Sequence, residues 1–342
     1  MKVFKKGTSQ KNSIFFSIAL AGTLLSSPLA AHATVIDWTN QNLNQIDAYN
    51  TATGTNSVVD GKAYTPDSLI FTGNGNIIYD SNVTTAIGTV PPGSNLMLYN
   101  TATKTNSVLA SGASLGGSTS LRDLALTPGG NSVLVSSYSG GEVYKVNIST
   151  GAVSTFTTTS GHPQGLVFTS GNLFLNLGAG IEQLNPTTGS PIISNNSITG
   201  LDGLTYDPTT GMLYATSSVT GSNANNTIVQ INPKTLSETL LTVAGSGISS
   251  SLNLDGIEAT ANGNLIIANY SASGGGQMLE YYTKTNTASL LESAAGIDDV
   301  APLVGGGSLA NTPEPATFAL FGTGILVMMM MAARSRRKAE SC

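Results

Sequence analysis

An apolar residue that follows a short polar step recurs at Leu69, Leu124, Leu166, Leu204, Ile257 and Val300, on average about 46 residues apart. A period of about 40 to 50 residues is that of a repeat fold, in which each unit buries its faces only against its neighbours. The clearest unit runs from Leu201 to Val243. Its first run, Leu201 to Tyr206, turns through Asp207-Pro208-Thr209-Thr210-Gly211 into Met212 to Thr216, and Ile228 to Asn232 and Glu238 to Val243 follow. Each run is short, rich in β-branched or aromatic residues and bounded by Gly, Pro, Asn or Ser, with no helical apolar period. The unit is a four-stranded meander, and its repetition predicts an all-β fold, a β-propeller.

The third and fourth strands recur too, as Leu96 to Tyr99 with Val108-Leu109, Val143 to Val146 with Val153 to Phe156, Ile181 to Leu184 with Ile192-Ile193, and Met278 to Tyr282 with Ser289 to Leu291. Asn, Pro, Thr and Gly turns join each pair as a hairpin. At the ends the repeat is split. Leu43 to Tyr49 and Asn56 to Val59 copy a third and fourth strand with no first strand before them, whereas Ile297 to Pro302 copies a first strand. One blade shared between the two chain ends accounts for both and gives six blades, its second strand being Val35 to Trp38 or Ser308 to Asn311. Closing the ring in this way removes open sheet edges.

The 39 glycines suit many tight turns. Between Thr34 and Pro313 only six basic residues face seventeen acids, so the body repels phosphate backbones and nucleic acid is not expected as a partner. Cys342 is the single cysteine and His162 the single histidine outside the leader, which excludes a disulfide framework, a thiolate metal site and a multi-histidine centre within one chain.

Both ends carry addresses. A basic start (Met1 to Lys11), an apolar run (Ile14 to Leu25) and Ala31-His32-Ala33 predict a signal peptide over residues 1–33, cleaved after Ala33. The body then covers residues 34–308 and a tail covers 309–342. That tail has Pro313-Glu314-Pro315, an uncharged apolar span from Ala316 to Ala333 predicted to be a transmembrane helix, and the basic residues Arg334, Arg336, Arg337 and Lys338. These three features in this order resemble the PEP-CTERM sorting signal of Gram-negative bacteria. The resemblance implies an exosortase-type sorting enzyme as partner, transient anchoring in the inner membrane, and delivery to the cell surface or an exopolysaccharide matrix.

First strands of propeller blades line the central channel, so equivalent positions form a ring. Two residues before each recurring apolar position stand Asp67, Arg122, Gln164, Asp202, Asp255 and Asp298, and Asp123 and Asp299 follow directly. Carboxylates converging on one axis either bind a cation, for which Ca2+ is the best suited, or serve their own turns, with Arg122 balancing part of the charge. His162, in His162-Pro163-Gln164-Gly165 ahead of a first strand, is a candidate general base over the channel. Gly112-Ala113-Ser114-Leu115-Gly116 matches a hydrolase pattern in letters, but no helix is expected after it to make the required elbow.

The body resembles six-bladed propellers of the gluconolactonase and regucalcin superfamily and the NHL-type repeats, through Asp-Gly-Leu or Gln-Gly-Leu steps at Asp202, Asp255 and Gln164 and Asn-Pro-x-Thr-type hairpins at Asn185 and Asn232. In the lactonases the resemblance implies a divalent metal in the channel. Asp202, Asp255 and Asp298 are the matching positions, and Asp67 stands where the family's metal-ligand Glu is expected. The readings that follow are an exported binding protein with a polysaccharide or other surface partner, a metal-dependent lactonase or lyase, and a structural matrix protein.

Overall fold

The computed structural model describes residues 35–117, 120–197, 199–217, 226–272 and 274–302, and the predicted signal peptide, sorting motif, basic tail, tail helix and candidate strand Ser308 to Asn311 lie outside them. The described residues form 24 strands in six four-stranded antiparallel sheets. Strands β1 (Val35–Asn40), β2 (Gln45–Asn50) and β3 (Thr55–Asp60) belong to the first blade. Blade two holds β4 (Pro66–Phe71), β5 (Ile77–Val83), β6 (Gly93–Asn100) and β7 (Thr105–Ala110), and blade three β8 (Leu121–Leu126), β9 (Ser132–Ser137), β10 (Glu142–Asn147) and β11 (Val153–Thr158). Blade four is β12 (Leu166–Phe168), β13 (Leu173–Asn176), β14 (Ile181–Leu184) and β15 (Pro191–Asn195); blade five is β16 (Leu201–Asp207), β17 (Met212–Ser217), β18 (Thr227–Ile231) and β19 (Glu238–Thr242). Blade six comprises β20 (Leu254–Ala259), β21 (Leu265–Asn269), β22 (Gln277–Tyr282) and β23 (Thr287–Ser293), and β24 (Ile297–Pro302) ends the described chain.

Strand β24 returns to the start. It pairs with β1 through Asp37 opposite Ala301 and Trp38 opposite Val300, which makes the sheet order β24-β1-β2-β3. The wheel therefore has six blades and one of them is shared by the two ends, with Val35 to Asn40 as its second strand. Burial follows strand position. Inner strands such as β9 and β21 are buried throughout, while the fourth strands β3, β7, β15 and β19 face water and leave Val58, Ile192 and Leu240 exposed. The apolar clusters lie between neighbouring blades. One joins Ile36, Trp38, Tyr49, Ile297 and Val300 of the shared blade to Ile266, Ala268 and Met278 of blade six.

A single device positions the channel residues. In five blades the ladder between first and second strands shifts register at the same point, so that two first-strand residues face one on the second strand: Asp67-Ser68, Arg122-Asp123, Asp202-Gly203, Asp255-Gly256 and Asp298-Asp299. Such a bulge adds a residue, bends the strand and re-aims its side chains. The glycines of the Gly-Leu and Gly-Ile steps are required by close approach. A Cβ on Gly203 would lie 2.6 Å from the Asp255 carbonyl oxygen of the next blade, and one on Gly165 would lie 2.6 Å from that of Asp202.

Opposite each of these five bulges stands one buried second-strand residue, Thr39, Asp80, Ser136, Thr216 or Ala268, and in blade four Asn176 stands beside Gln164 and Gly165, its backbone bonded to both. Three of them are hydroxyl relays between blades. Thr39 Oγ1 accepts from Asp299 N–H and donates to the Asp67 carbonyl, both at 2.9 Å. Ser136 Oγ accepts from Asp123 N–H at 3.0 Å and donates to the Gln164 carbonyl at 2.6 Å, and Thr216 joins Gly203 N–H to the Asp255 carbonyl in the same way. Asn176 Nδ2 donates to the Asp202 carbonyl. Ala268 offers no donor toward the shared blade. Ala268→Ser supplies the missing hydroxyl for the Asp298 carbonyl, with an expected gain of about 0.5–1.5 kcal/mol, seen as a small rise in melting temperature by circular dichroism. An unchanged or lower value would show that the relay geometry does not extend to this seam.

Candidate functional site at the channel hub

The bulges bring Asp67, Arg122, Asp202 and Asp255, together with Gln164, to the lining of one cavity of ≈ 40 Å³ on the channel axis. Asp298, the fourth carboxylate expected from the sequence, joins them through Gln41, whose Nε2 donates to Asp298 Oδ2 at 2.6 Å and to Asp67 Oδ1 at 3.1 Å. Arg122 Nη1 lies 3.7 Å from Asp67 Oδ2, and the guanidinium carbon sits 5.3 Å from the centroid of the Tyr138 ring. Its Nε is buried with no hydrogen-bond partner.

Burial and mutual repulsion set the charge state of this ring. Asp255 and Asp298 are pushed well above the carboxylate range, first by burial and then by neighbouring acids, Asp202 and Asp67 acting on Asp255 and Asp255 and Asp67 on Asp298. Asp202 is pushed up to about 6 by burial, with Arg122 pulling it down and Asp67 pushing it up. For Arg122 burial works against the charged form, but Asp67, Asp202, Asp255 and Asp298 together raise its pKa.

The second bulge residues brace the ring. Asp123 accepts from Leu124 N–H and, across to blade four, from Leu166 N–H, both at 2.7 Å, while Asp299 Oδ2 accepts from Leu69 N–H of blade two at 3.1 Å. Asp123 is nonetheless pushed up to about 8 by burial. Asp80 accepts from Ser68 N–H at 2.7 Å and Asp67 N–H at 3.2 Å, and burial raises it far above its ordinary value. Glu258, bound to the Thr205 hydroxyl, is raised by burial to about 8.

His162 is not part of this ring. Its ring is exposed and stacks on Tyr138 with centroids 4.5 Å apart and planes at 19°, and its Nδ1 donates to the Tyr138 carbonyl oxygen at 2.9 Å. Tyr138 directly follows β9, and its counterpart after β21 is Tyr270. Their N–H groups donate to the carbonyls of Ser120 and Asn253, the same step of the respective blades, both at 2.9 Å. Beside Tyr270 opens a hollow of ≈ 430 Å³ lined by Ser217, Ser249, Ser251, Asn253, Asn269 and Ser271 among others, with no charged side chain among the described residues of its wall.

The lactonase resemblance implies a channel metal held by Asp202, Asp255 and Asp298. Among the described residues no group of three or more His, Cys, Asp or Glu side chains is placed to hold a metal ion. The acids are engaged by Arg122, Gln41 and one another. This donor set does not fit a resident divalent ion.

Comparison with known proteins bears separately on the tail and on the fold. Residues 311–338 match the PEP-CTERM protein-sorting motif, which implies export, recognition by an exosortase-type enzyme and membrane-anchored passage to the cell surface. No curated protein matches the chain. Among solved structures, the crystal structure of a nidogen/laminin complex is similar at 10% identity and a TM-score of 0.62, over 79% of this chain and 98% of that one. As many as 1169 solved chains match, and a fold so widely shared specifies no activity. Fold and tail together define an exported six-bladed β-propeller with a sorting signal. Among the described residues no helix is long and apolar enough to cross a membrane.

Proposed function

We propose that this chain is a non-catalytic binding protein, carried by its sorting tail to the cell surface or the exopolysaccharide matrix, where the mouth of the propeller takes up a surface glycan. The contrast between the two hollows carries this reading. Pockets for small organic ligands usually measure about 300–1,000 Å³. The hub cavity, at ≈ 40 Å³, has room for water and not for a sugar ring, whereas the hollow beside Tyr270 has ≈ 430 Å³.

The wall chemistry supports a saccharide. Hydroxyls and amides from Ser249, Ser251, Asn253 and Asn269 offer both donors and acceptors to a polyhydroxylated ligand, and Tyr270 offers an aromatic face in the same wall. A lactonase would need its substrate among the hub carboxylates, in the smaller cavity. A structural matrix protein would need the tail but not Tyr270.

Cell fractionation separates these roles. Removing Pro313 to Cys342 abolishes retention at the surface. Tyr270→Ala leaves export unchanged but lowers the share of protein that co-sediments with purified exopolysaccharide at least several-fold. Equal co-sedimentation of this variant would overturn glycan binding at the mouth and leave the matrix role.

A further inference from the structure

The wheel's hub holds a guanidinium where the lactonase resemblance implies a metal, and we infer that Arg122 is the built-in cation of this propeller: it makes the protein independent of divalent ions and covers a latent site that opens only when its side chain is removed. This goes beyond the binding role at the mouth, which stands or falls separately.

Geometry supports the inference from several sides. Arg122 occupies on β8 the same bulge position that Asp67, Asp202, Asp255 and Asp298 occupy on β4, β16, β20 and β24. Its charge therefore starts from the same radius as theirs and reaches Asp67 at 3.7 Å. The Tyr138 face stands on another side of the guanidinium, and an aromatic face favours a cation electrostatically. Gln41 ties Asp67 to Asp298, so the acid that meets Arg122 is itself tied to the strand that closes the ring. The buried, unpartnered Nε indicates that Arg122 is held for its charge more than for a full set of hydrogen bonds.

Without the guanidinium, carboxylates from four blades would share an enlarged cavity with the Gln164 amide and with no positive charge between them. Ca2+ takes six to eight oxygen ligands in flexible geometry and suits such a set. The free variant should be weakened by like-charge repulsion and recovered by the ion, since a ligand that binds only the folded state raises its melting temperature.

Thermal melts of the full chain test this, with CaCl2 at about 10 mM or with excess EDTA. The wild-type melting temperature is expected to be the same in both within about 1 °C. Arg122→Gln is expected to melt several degrees lower in EDTA and to regain most of the loss in calcium. Arg122→Lys keeps a charge at the hub and should ignore calcium. Should Arg122→Gln not fold, Arg122→Gln combined with Asp255→Asn carries one acid fewer and is expected to show the same rescue. A wild type that shifts with calcium or EDTA, or a folded variant indifferent to calcium, would overturn the inference.

Discussion

Trp38→Ala lowers the melting temperature by on the order of 10 °C, because it empties the contact through which the ring closes. Trp38 lies on β1 with 2% exposure and packs with Val300 of β24 and with Ile266, Ala268 and Met278 of blade six. Truncating a buried Trp to Ala costs about 3–5 kcal/mol. Its Nε1 is buried without a partner, so Trp38→Phe removes an unsatisfied N–H along with some volume and is expected to cost far less. The comparison separates packing from polarity. Trp38 is also the single tryptophan of the chain, so a red shift of its emission follows the opening of the shared blade directly. An alanine variant as stable as the wild type would mean that closure does not depend on this contact.

The second large effect concerns pH. Asp37 is 3% exposed on β1, and burial, helped by the nearby Asp47, raises its carboxyl from 3.8 to about 7. The folded state thus prefers the neutral acid. Its contribution is whole below about pH 4, falls as pH rises, and is gone above about pH 7. A rise from 3.8 to about 7 corresponds to roughly 4 kcal/mol, so Asp37→Asn, which cannot ionise, is expected to gain several degrees at pH 8 and almost nothing at pH 4. Wild-type melts should rise between pH 8 and pH 5 while those of Asp37→Asn change less over the same range. Equal pH dependence in the two proteins would show that Asp37 is not the group responsible.

Much of the wheel was legible because its period is carried by side chains that must be apolar. The unit from Leu201 to Val243 has its strands within a residue or two of the observed limits, and Val35 to Trp38 is the second strand of the shared blade, extended to Asn40. Phasing was less legible where turns carry apolar residues. Leu43 reads as the start of a strand but stands exposed in the turn before Gln45, and β6 starts at Gly93, ahead of the expected start at Leu96.

At the hub the ring of Asp67, Arg122, Gln164, Asp202, Asp255 and Asp298 follows from counting back from a repeating residue. Gln41, Tyr138 and Tyr270 do not, because they stand just after second strands whose ends show only once the register is known. The relays of Thr39, Ser136 and Thr216 were hidden for a related reason. Hydroxyls are common in this sequence, and only the position opposite a bulge distinguishes these three. His162 drew attention as a rare residue, yet the structure seats it against Tyr138, outside the carboxylate ring.

The seam at Ala268 has a mechanical consequence. Strand β24, the last that the structure describes, adjoins blade six at an interface without a relay hydroxyl, and in sequence the sorting motif follows it. A protein tethered by this end and dragged by flow would load a joint that has no such hydroxyl, while the seams carrying Thr39, Ser136 and Thr216 stay slack. Rupture would begin as a single sector swinging out, and the other five blades would remain a folded arc to which it can return.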